Sequence, residues 1–360
     1  MGWQASGWRR GVAWCFGEPA AAIQPARRRQ RRRLLTWLTL SYLATGALLL
    51  AGVEFLSQWF WPLDLLNYAP LALGLAPGMA LAAASAIWHP RLLLLLGVAG
   101  LAVVLPGYQF NPQRPLTAPT LRVMTASVGQ RQPEGLVRFV RERTPDLLIE
   151  EGGAAPGRDE LEQIFAAGPV TRLGEFHLYS RLPVLAAAPV PLATAPAAAA
   201  RFEIQWQDHR IAVYAVHFPT PRDALLALRR HPLRWGRLAS FTAEKRHMAE
   251  ELARDLHREA LPCVVVGDFN QPPRGRVYRL FSAWGQDAHR IAGQGFGYTC
   301  PSGVRRHWLR PLAPWMRIDY CFSSRSLRPV SCRIEPPHNG QHRAVAVNLE
   351  WLGPGGQRGL

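Results

Sequence analysis

The apolar positions of this chain change character once, near residue 120. Before it they come in long uncharged blocks. LLTWLTLSYLATGALLLAGV, Leu34 to Val53, contains no charged residue and has about the twenty residues that a bilayer-crossing helix requires. A second block, Leu65 to Trp88, includes Pro70 and Pro77, which a helix in lipid tolerates where neighbours re-satisfy the freed backbone groups. A third and shorter one, RLLLLLGVAGLAVVLPGY, starts at Arg91, whose head group can snorkel out of an apolar layer. Trp59, Trp61 and Trp88 stand where interfacial aromatic belts form.

After residue 120 the period shortens. LRVMTASV, PDLLIEE, GEFHLYSRLPV, FEIQWQ, RIAVYAVHFPTP, CVVVGDFN, MRIDYCFSS and HRAVAVNLEW read as strands. Between them EGLVRFVRER sets Leu136, Phe139 and Val140 on one helical face, and TAEKRHMAEELARDLHRE does the same with Met248, Leu252 and Leu256. The pattern predicts a basic N-terminus over 1–33, a membrane region of about three helices over 34–108, and a proline-rich linker over 109–120. An α/β domain follows over 121–352, with a short tail over 353–360. Ala186 to Ala200, AAAPVPLATAPAAAA, reads as a flexible excursion between strands.

Charge adds an orientation. The formal net charge is +17, and Lys245 is the only lysine, so the excess is arginine, the side chain suited to bidentate contacts with phosphate. Anionic polymers or membrane surfaces are plausible neighbours, and a GC-rich coding sequence is the bland alternative. RRRQRRR, Arg27 to Arg33, directly precedes the first apolar block and should remain in the cytoplasm. Three spans would then place the domain outside the cytoplasmic membrane, and two would place it inside. A cleavable signal peptide competes for the first block, but the long N-terminal lead and the later blocks favour an anchor. In an oxidising compartment Cys300 and Cys332 form a candidate bridge, whereas Cys263 and Cys321 sit within apolar strand patterns as buried thiols.

The candidate chemistry lies at strand ends. Ser127 follows LRVMTA, Glu150 and Glu151 follow LLI, and His217 follows VYAV. Asp268 and Asn270 follow VVVG, Asp319 follows RI, and His342 precedes RAVAV. Singly each is an ordinary turn or cap residue. Together, if the strand ends gather on one rim, they form a site able to hold a metal, a proton and a phosphate. RDALLALRRHPLRWGRLASFTAEKRH adds a basic flap in which Arg237, Arg246 and Trp235 are candidate substrate contacts. A solvated helix face is the equal alternative. VRRHWLRPLAPW repeats the mixture before Asp319.

In their order and spacing GDFN with QPP, RIDY, YSRLPV, VHFPTP, the DAH at Asp287 and GYTCP resemble the endonuclease/exonuclease/phosphatase superfamily, DNase I-like, from about Leu121 to Trp351. The resemblance implies a four-layer sandwich of two packed mixed β-sheets flanked by helices, here preceded by membrane helices, as in membrane-anchored bacterial members. It implies that Asp268 orients or deprotonates the attacking water, that Asn270 contacts a phosphate oxygen, and that His342, oriented by Asp319, lies near the phosphate. His217 matches a further phosphate-binding histidine. The metal ligand implied is Glu151, with Glu150 as the close alternative, and the ion Mg²⁺ or Mn²⁺. Two positions depart from the family: Ser127 replaces an asparagine, and Gln341, in NGQHRAV, replaces an aspartate. Both weaken the expected metal site. The resemblance therefore implies a phosphohydrolase, most simply a phosphodiesterase acting on a lipid headgroup or nucleic acid, in a multi-pass protein of the bacterial inner membrane with the domain outside. No obligate protein partner is implied. The alternative is an impaired member that binds or senses anionic ligands.

Overall fold

The computed structural model describes residues 20–112, 118–127, 134–152, 158–165, 168–193, 195, 197–230, 236–302, 311–338 and 341–353. The chain divides into two compact units, residues 1–48 with 72–104, and residues 49–71 with 105–360.

The first unit holds most of helix α1 (Ala20–Leu56), most of α3 (Leu71–Trp88), and α4 (Arg91–Val104). Ala26–Leu56 and Leu71–Trp88 are each long and apolar enough to cross a membrane, and few of their residues are covered by protein. Within this unit Arg32 donates to the Trp88 carbonyl at 3.0 Å, and Tyr42 donates to the Gly74 carbonyl at 3.0 Å. The block from Arg91 forms only a shorter apolar helix, so among the described residues two helices of spanning length stand where three were expected. The second of these starts at Leu71 and not at Leu65, because α2 (Trp61–Leu66) ends at an Asn67 cap and packs with the other unit.

The second unit is an α/β/β/α sandwich. Strand β1 (Gln109–Phe110) lies in the expected linker and pairs with the later β11 region, Gln109 opposite Gly295. Next come β2 (Thr120–Ser127), α5 (Glu134–Arg143), β3 (Leu147–Glu151), α6 (Arg158–Ile164), β4 (Thr171–Leu173) and β5 (Phe176–Ser180). They are followed by β6 (Val184–Pro189), β7 (Ala199–Trp206), β8 (His209–His217), α7 (Pro221–Arg230), α8 (Gly236–Arg258) and β9 (Cys263–Asp268). The chain closes through α9 (Gly275–Trp284), β10 (Gln286–Asp287), α10 (Ala288–Ala292), β11 (Gln294–Gly295), β12 (Asp319–Ser323), β13 (Leu327–Ile334) and β14 (Val345–Trp351).

One six-stranded sheet has the order β10-β12-β9-β8-β7-β6, the other β13-β14-β2-β3-β5-β4. Each contains one parallel pair, β8 with β9 and β2 with β3, among antiparallel neighbours, so both are mixed as expected. Alternation along each strand sorts its side chains. Val264 and Val266 of β9 join Leu121, Val123, Leu147 and Ile149 in the core between the sheets. Cys263 and Val265 point the other way, towards Met248, Leu252 and Phe281 on the helices. Leu148 packs outward against Leu136, Phe139 and Val140.

Two expectations fail here. Ala186–Ala200 is not an excursion: β6 runs to Pro189, and Val190, Leu192 and Ala198 are buried against α8, because this stretch still carries enough apolar side chains to cover a helix. The candidate bridge is absent, since Cys263, Cys300, Cys321 and Cys332 are all free. Cys332 instead lies in the inter-sheet core with Cys321.

Candidate active site

The alternation that builds the inter-sheet core also aims the chemistry. Thr125 and Ser127 continue the inward face of Val123, and Glu151 that of Ile149. His217, Asp268 and Asp319 likewise continue the inward faces of Ala215, Val266 and Cys321. Pairing brings these ends to one rim: Ser127 is opposite Glu151, His217 opposite Asp268, Asp268 opposite Asp319, and Thr125 opposite Val345, three residues after His342.

Asp268 is the hub. Its carboxylate accepts from the Asn270 backbone N–H at 2.8 Å and from Asn270 Nδ2 at 2.9 Å. Asn270 has φ +43°, the left-handed region that an asparagine tolerates. That turn folds its side chain back beside the strand end, while Phe269 points away into a cluster with Phe218, Phe281, Tyr320 and Phe322. The other Asn270 amide hydrogen goes to the Phe218 carbonyl at 2.8 Å. Both hydrogens are thereby committed to the protein. In this arrangement the amide braces Asp268, and the phosphate contact expected of Asn270 would draw on a hydrogen that a protein oxygen now holds.

Two carboxylate–imidazole pairs flank Asp268. His342 Nδ1 lies 3.1 and 3.0 Å from the two oxygens of Asp319 and 3.7 Å from Asp268 Oδ2. On the other side His217 Nδ1 lies 2.9 Å from Glu175 Oε2, which leaves Nε2 3.9 Å from Asp268 Oδ2. Burial alone would lower both histidines. Asp319, Cys300 and Asp268 outweigh it at His342, which is held well above the imidazole range. At His217 the Glu175 hydrogen bond and the charges of Asp268, Glu175 and Glu151 raise the value to about 9. Asp268 itself is raised, first by burial and then by Asp319, against the opposing pull of both histidines.

His217 is therefore cationic through neutral pH and loses its proton as pH rises through about 9. If that cation supports turnover, the alkaline limb of the kcat/KM profile falls near there. Glu175→Gln, which removes a raising carboxylate, moves the limb down towards the ordinary imidazole range, about 6.5. A limb unmoved by the substitution would remove His217 from the reaction.

The paired glutamates separate by face. Glu150 turns outward to Tyr179, whose hydroxyl donates to it at 3.0 Å, and to the charge of Arg158. Glu151 turns inward and accepts from Thr125 Oγ1 at 2.6 Å. Its Oε2 is buried with no hydrogen-bond partner among the described residues. Burial, Asp319 and Asp268 together hold its acid form well above the usual carboxylate range. A buried carboxylate oxygen with no protein partner, in a setting that also feels the charges of Asp319 and Asp268, is a donor set that fits a hard divalent ion. Asp268, Asp319 and His342 also offer ligand atoms that all lie within 4.8 Å of one another. Ser127 is buried beside Glu151, whereas Gln341 is exposed and its side-chain oxygen accepts from Arg222 at 3.3 Å.

Arg237 is exposed at the start of α8, Arg246 donates to the Gln58 carbonyl at 3.4 Å, and Trp235 lies outside the described residues. Glu175 and Thr125 are the participants that the sequence reading missed. Glu175 obeys the strand-end pattern, one residue before β5, and applying that rule to GEFHLYS would have found it.

A profile of the Endonuclease/Exonuclease/phosphatase family matches residues 81–341. The chain belongs to this family. The endonuclease/exonuclease/phosphatase fold is that of a phosphoester hydrolase, and family members generally depend on divalent metals and act on phosphate esters such as nucleic acids. Among solved structures, a family protein from Bacteroides vulgatus aligns at TM-score 0.47 and 14% identity, covering 65% of this chain and 100% of its own. A family protein from Beutenbergia cavernae DSM 12333 aligns at 0.45 and 16%, covering 65% and 72%. The human nocturnin catalytic domain with bound sulfate aligns at 0.44 and 14%, covering 67% and 96%. No curated protein sequence matches.

Proposed function

We propose that this chain is a membrane-anchored, divalent-metal-dependent phosphodiesterase whose substrate is a lipid headgroup or a nucleic acid. The observation that carries the reading is the buried Asp268 carboxylate, braced by Asn270 and flanked by two imidazoliums, with Glu151 beside it. Asp268 accepts the proton of the attacking water on a carboxylate lone pair that the two Asn270 hydrogen bonds leave open, and its raised acidity range brings it nearer to a working base. His342 and His217, each locked through Nδ1 to a carboxylate, hold positive charge where a phosphate's oxygens become more negative. Glu151, braced by Thr125, would hold Mg²⁺ or Mn²⁺ with Ser127 adjacent, and such an ion supplies charge neutralisation at the phosphoryl group and the leaving oxygen.

Anchoring rests on the two apolar helices and the arginine cluster before the first. If Arg91–Gly107 also crosses, the domain lies outside the cytoplasmic membrane, and if it does not, inside; protease accessibility in intact cells separates these. The purified full chain is tested on bis-p-nitrophenyl phosphate, phospholipid vesicles, single- and double-stranded nucleic acids and sugar phosphates, with Mg²⁺, Mn²⁺ or chelator. Metal-dependent turnover of a diester is expected. Failure with every substrate and metal would overturn the reading in favour of an anion-binding module, the alternative that Ser127 and the Arg222-bound Gln341 favour.

A further inference from the structure

The only lysine of the chain is nowhere near solvent. Lys245, on α8, is 1% exposed. Its Nζ lies 3.4 Å from Asp64 Oδ2 and 2.5 Å from the Tyr68 hydroxyl, over the rings of Tyr68 and Phe241. Thr242 also donates to Asp64, at 3.2 Å. Burying a lysine–aspartate pair is costly unless the geometry serves something. What it holds is Tyr68, whose hydroxyl accepts from Lys245 and donates to the backbone carbonyl of Asn270 at 2.6 Å. Trp315 Nε1 fixes the Tyr68 carbonyl at 3.2 Å.

The same segment grips the catalytic turn further along. Glu54 accepts from the Gly275 N–H at 3.2 Å and pairs with Arg279, and Gln58 accepts from Arg246. Residues 54–68, which run from the last turn of the first apolar helix towards the second, thus back the stretch from Asn270 to Arg279. The Tyr68 hydroxyl thereby holds the carbonyl of a residue at φ +43°, in the turn whose side chain meets Asp268.

We infer that Tyr68, seated by Lys245 and Asp64, is a positioning residue for the hydrolytic site, and that the segment between the apolar helices is a structural part of that site. This inference rests on the phosphodiesterase reading. Removing only the hydroxyl releases the Asn270 carbonyl and loosens the brace on Asp268, without touching substrate.

The test uses the full chain in detergent or lipid discs. Tyr68→Phe is expected to lower kcat on bis-p-nitrophenyl phosphate by about tenfold, the worth of one well-formed hydrogen bond in the transition state, with KM within about twofold. Amide exchange of Phe269 and Asn270 should quicken by a similar factor, while the melting transition stays cooperative. A paired Asp64→Leu/Lys245→Met variant, which removes both charges and leaves neither stranded, should lower kcat in the same direction. A kcat within twofold of wild type for Tyr68→Phe overturns the inference. So does a loss explained wholly by a smaller folded fraction. Asp268→Ala is measured alongside: if it too leaves turnover intact, the hydrolase reading fails, and the exchange rates alone decide whether Tyr68 holds the turn.

Discussion

Replacing Asp268 by asparagine lowers turnover of a metal-supported phosphodiester by about three orders of magnitude, within the range that a positioned general base contributes. The substitution conserves shape but changes three relationships at once. It removes the buried carboxylate that meets both histidines and sets an amide against the Asn270 Nδ2 that now donates to it. It also leaves His342 and His217 with fewer negative neighbours, so both become less basic. His342→Ala should lose a comparable factor, and the double variant should lose little more than either alone, because the groups act on one phosphoryl centre. Circular dichroism and a cooperative melt are needed to show that both variants fold. A loss smaller than about tenfold for Asp268→Asn would end the proposed chemistry.

Chelation, and its counterpart Glu151→Gln, should produce the other large effect. Stripping divalent ions from the wild-type chain is expected to remove essentially all turnover, and Mg²⁺ or Mn²⁺ to restore it. Glu151→Gln should raise the metal concentration needed for half-maximal rate by about 10–100-fold or more, the scale on which weaker supporting contacts already act. A melting measurement reads the same site without catalysis. In the wild type, a raised carboxyl pKa means that the folded state holds a proton more tightly than the unfolded one. Stability of the metal-free protein therefore falls as pH rises above the usual glutamate range. Glutamine removes that cost, so the metal-free variant should melt no lower than wild type, while the stabilisation by added metal should shrink. Metal-independent melting in the wild type would exclude Glu151 as the holder. Restoring the family pattern with Ser127→Asn and Gln341→Asp should tighten metal binding, since the second adds a carboxylate where Arg222 now meets an amide oxygen.

The site was legible as a list before it was legible as a place. Strand-end polarity singled out Asp268, Asp319, His217, His342 and Glu151, and the structure gathers these on one rim because the inward face of each strand ends there. Local pattern could not choose between Glu150 and Glu151. Their difference is which way each points, and that is fixed by the register of β3 between β2 and β5, where Ile149 faces the other sheet and Leu148 faces helices. It also could not see that both amide hydrogens of Asn270 are held by the protein, one of them by the Phe218 carbonyl, fifty-two positions away.

The sequence by itself determined the family, the order of strands β2, β3, β5, β7, β8, β9, β12 and β14 and of helices α5 and α8, the uncharged blocks near the N-terminus, and the chemistry available at strand ends. These follow from period, composition and local turn residues, which act over a few neighbours. Only the tertiary structure decided which side chains meet. Glu175 with His217, Lys245 with Tyr68, and Tyr68 with Asn270 are joined across 42, 177 and 202 positions. Such contacts depend on the stacking of two sheets and the seating of residues 54–68 against α8 and the turn after β9, which no short window of residues encodes.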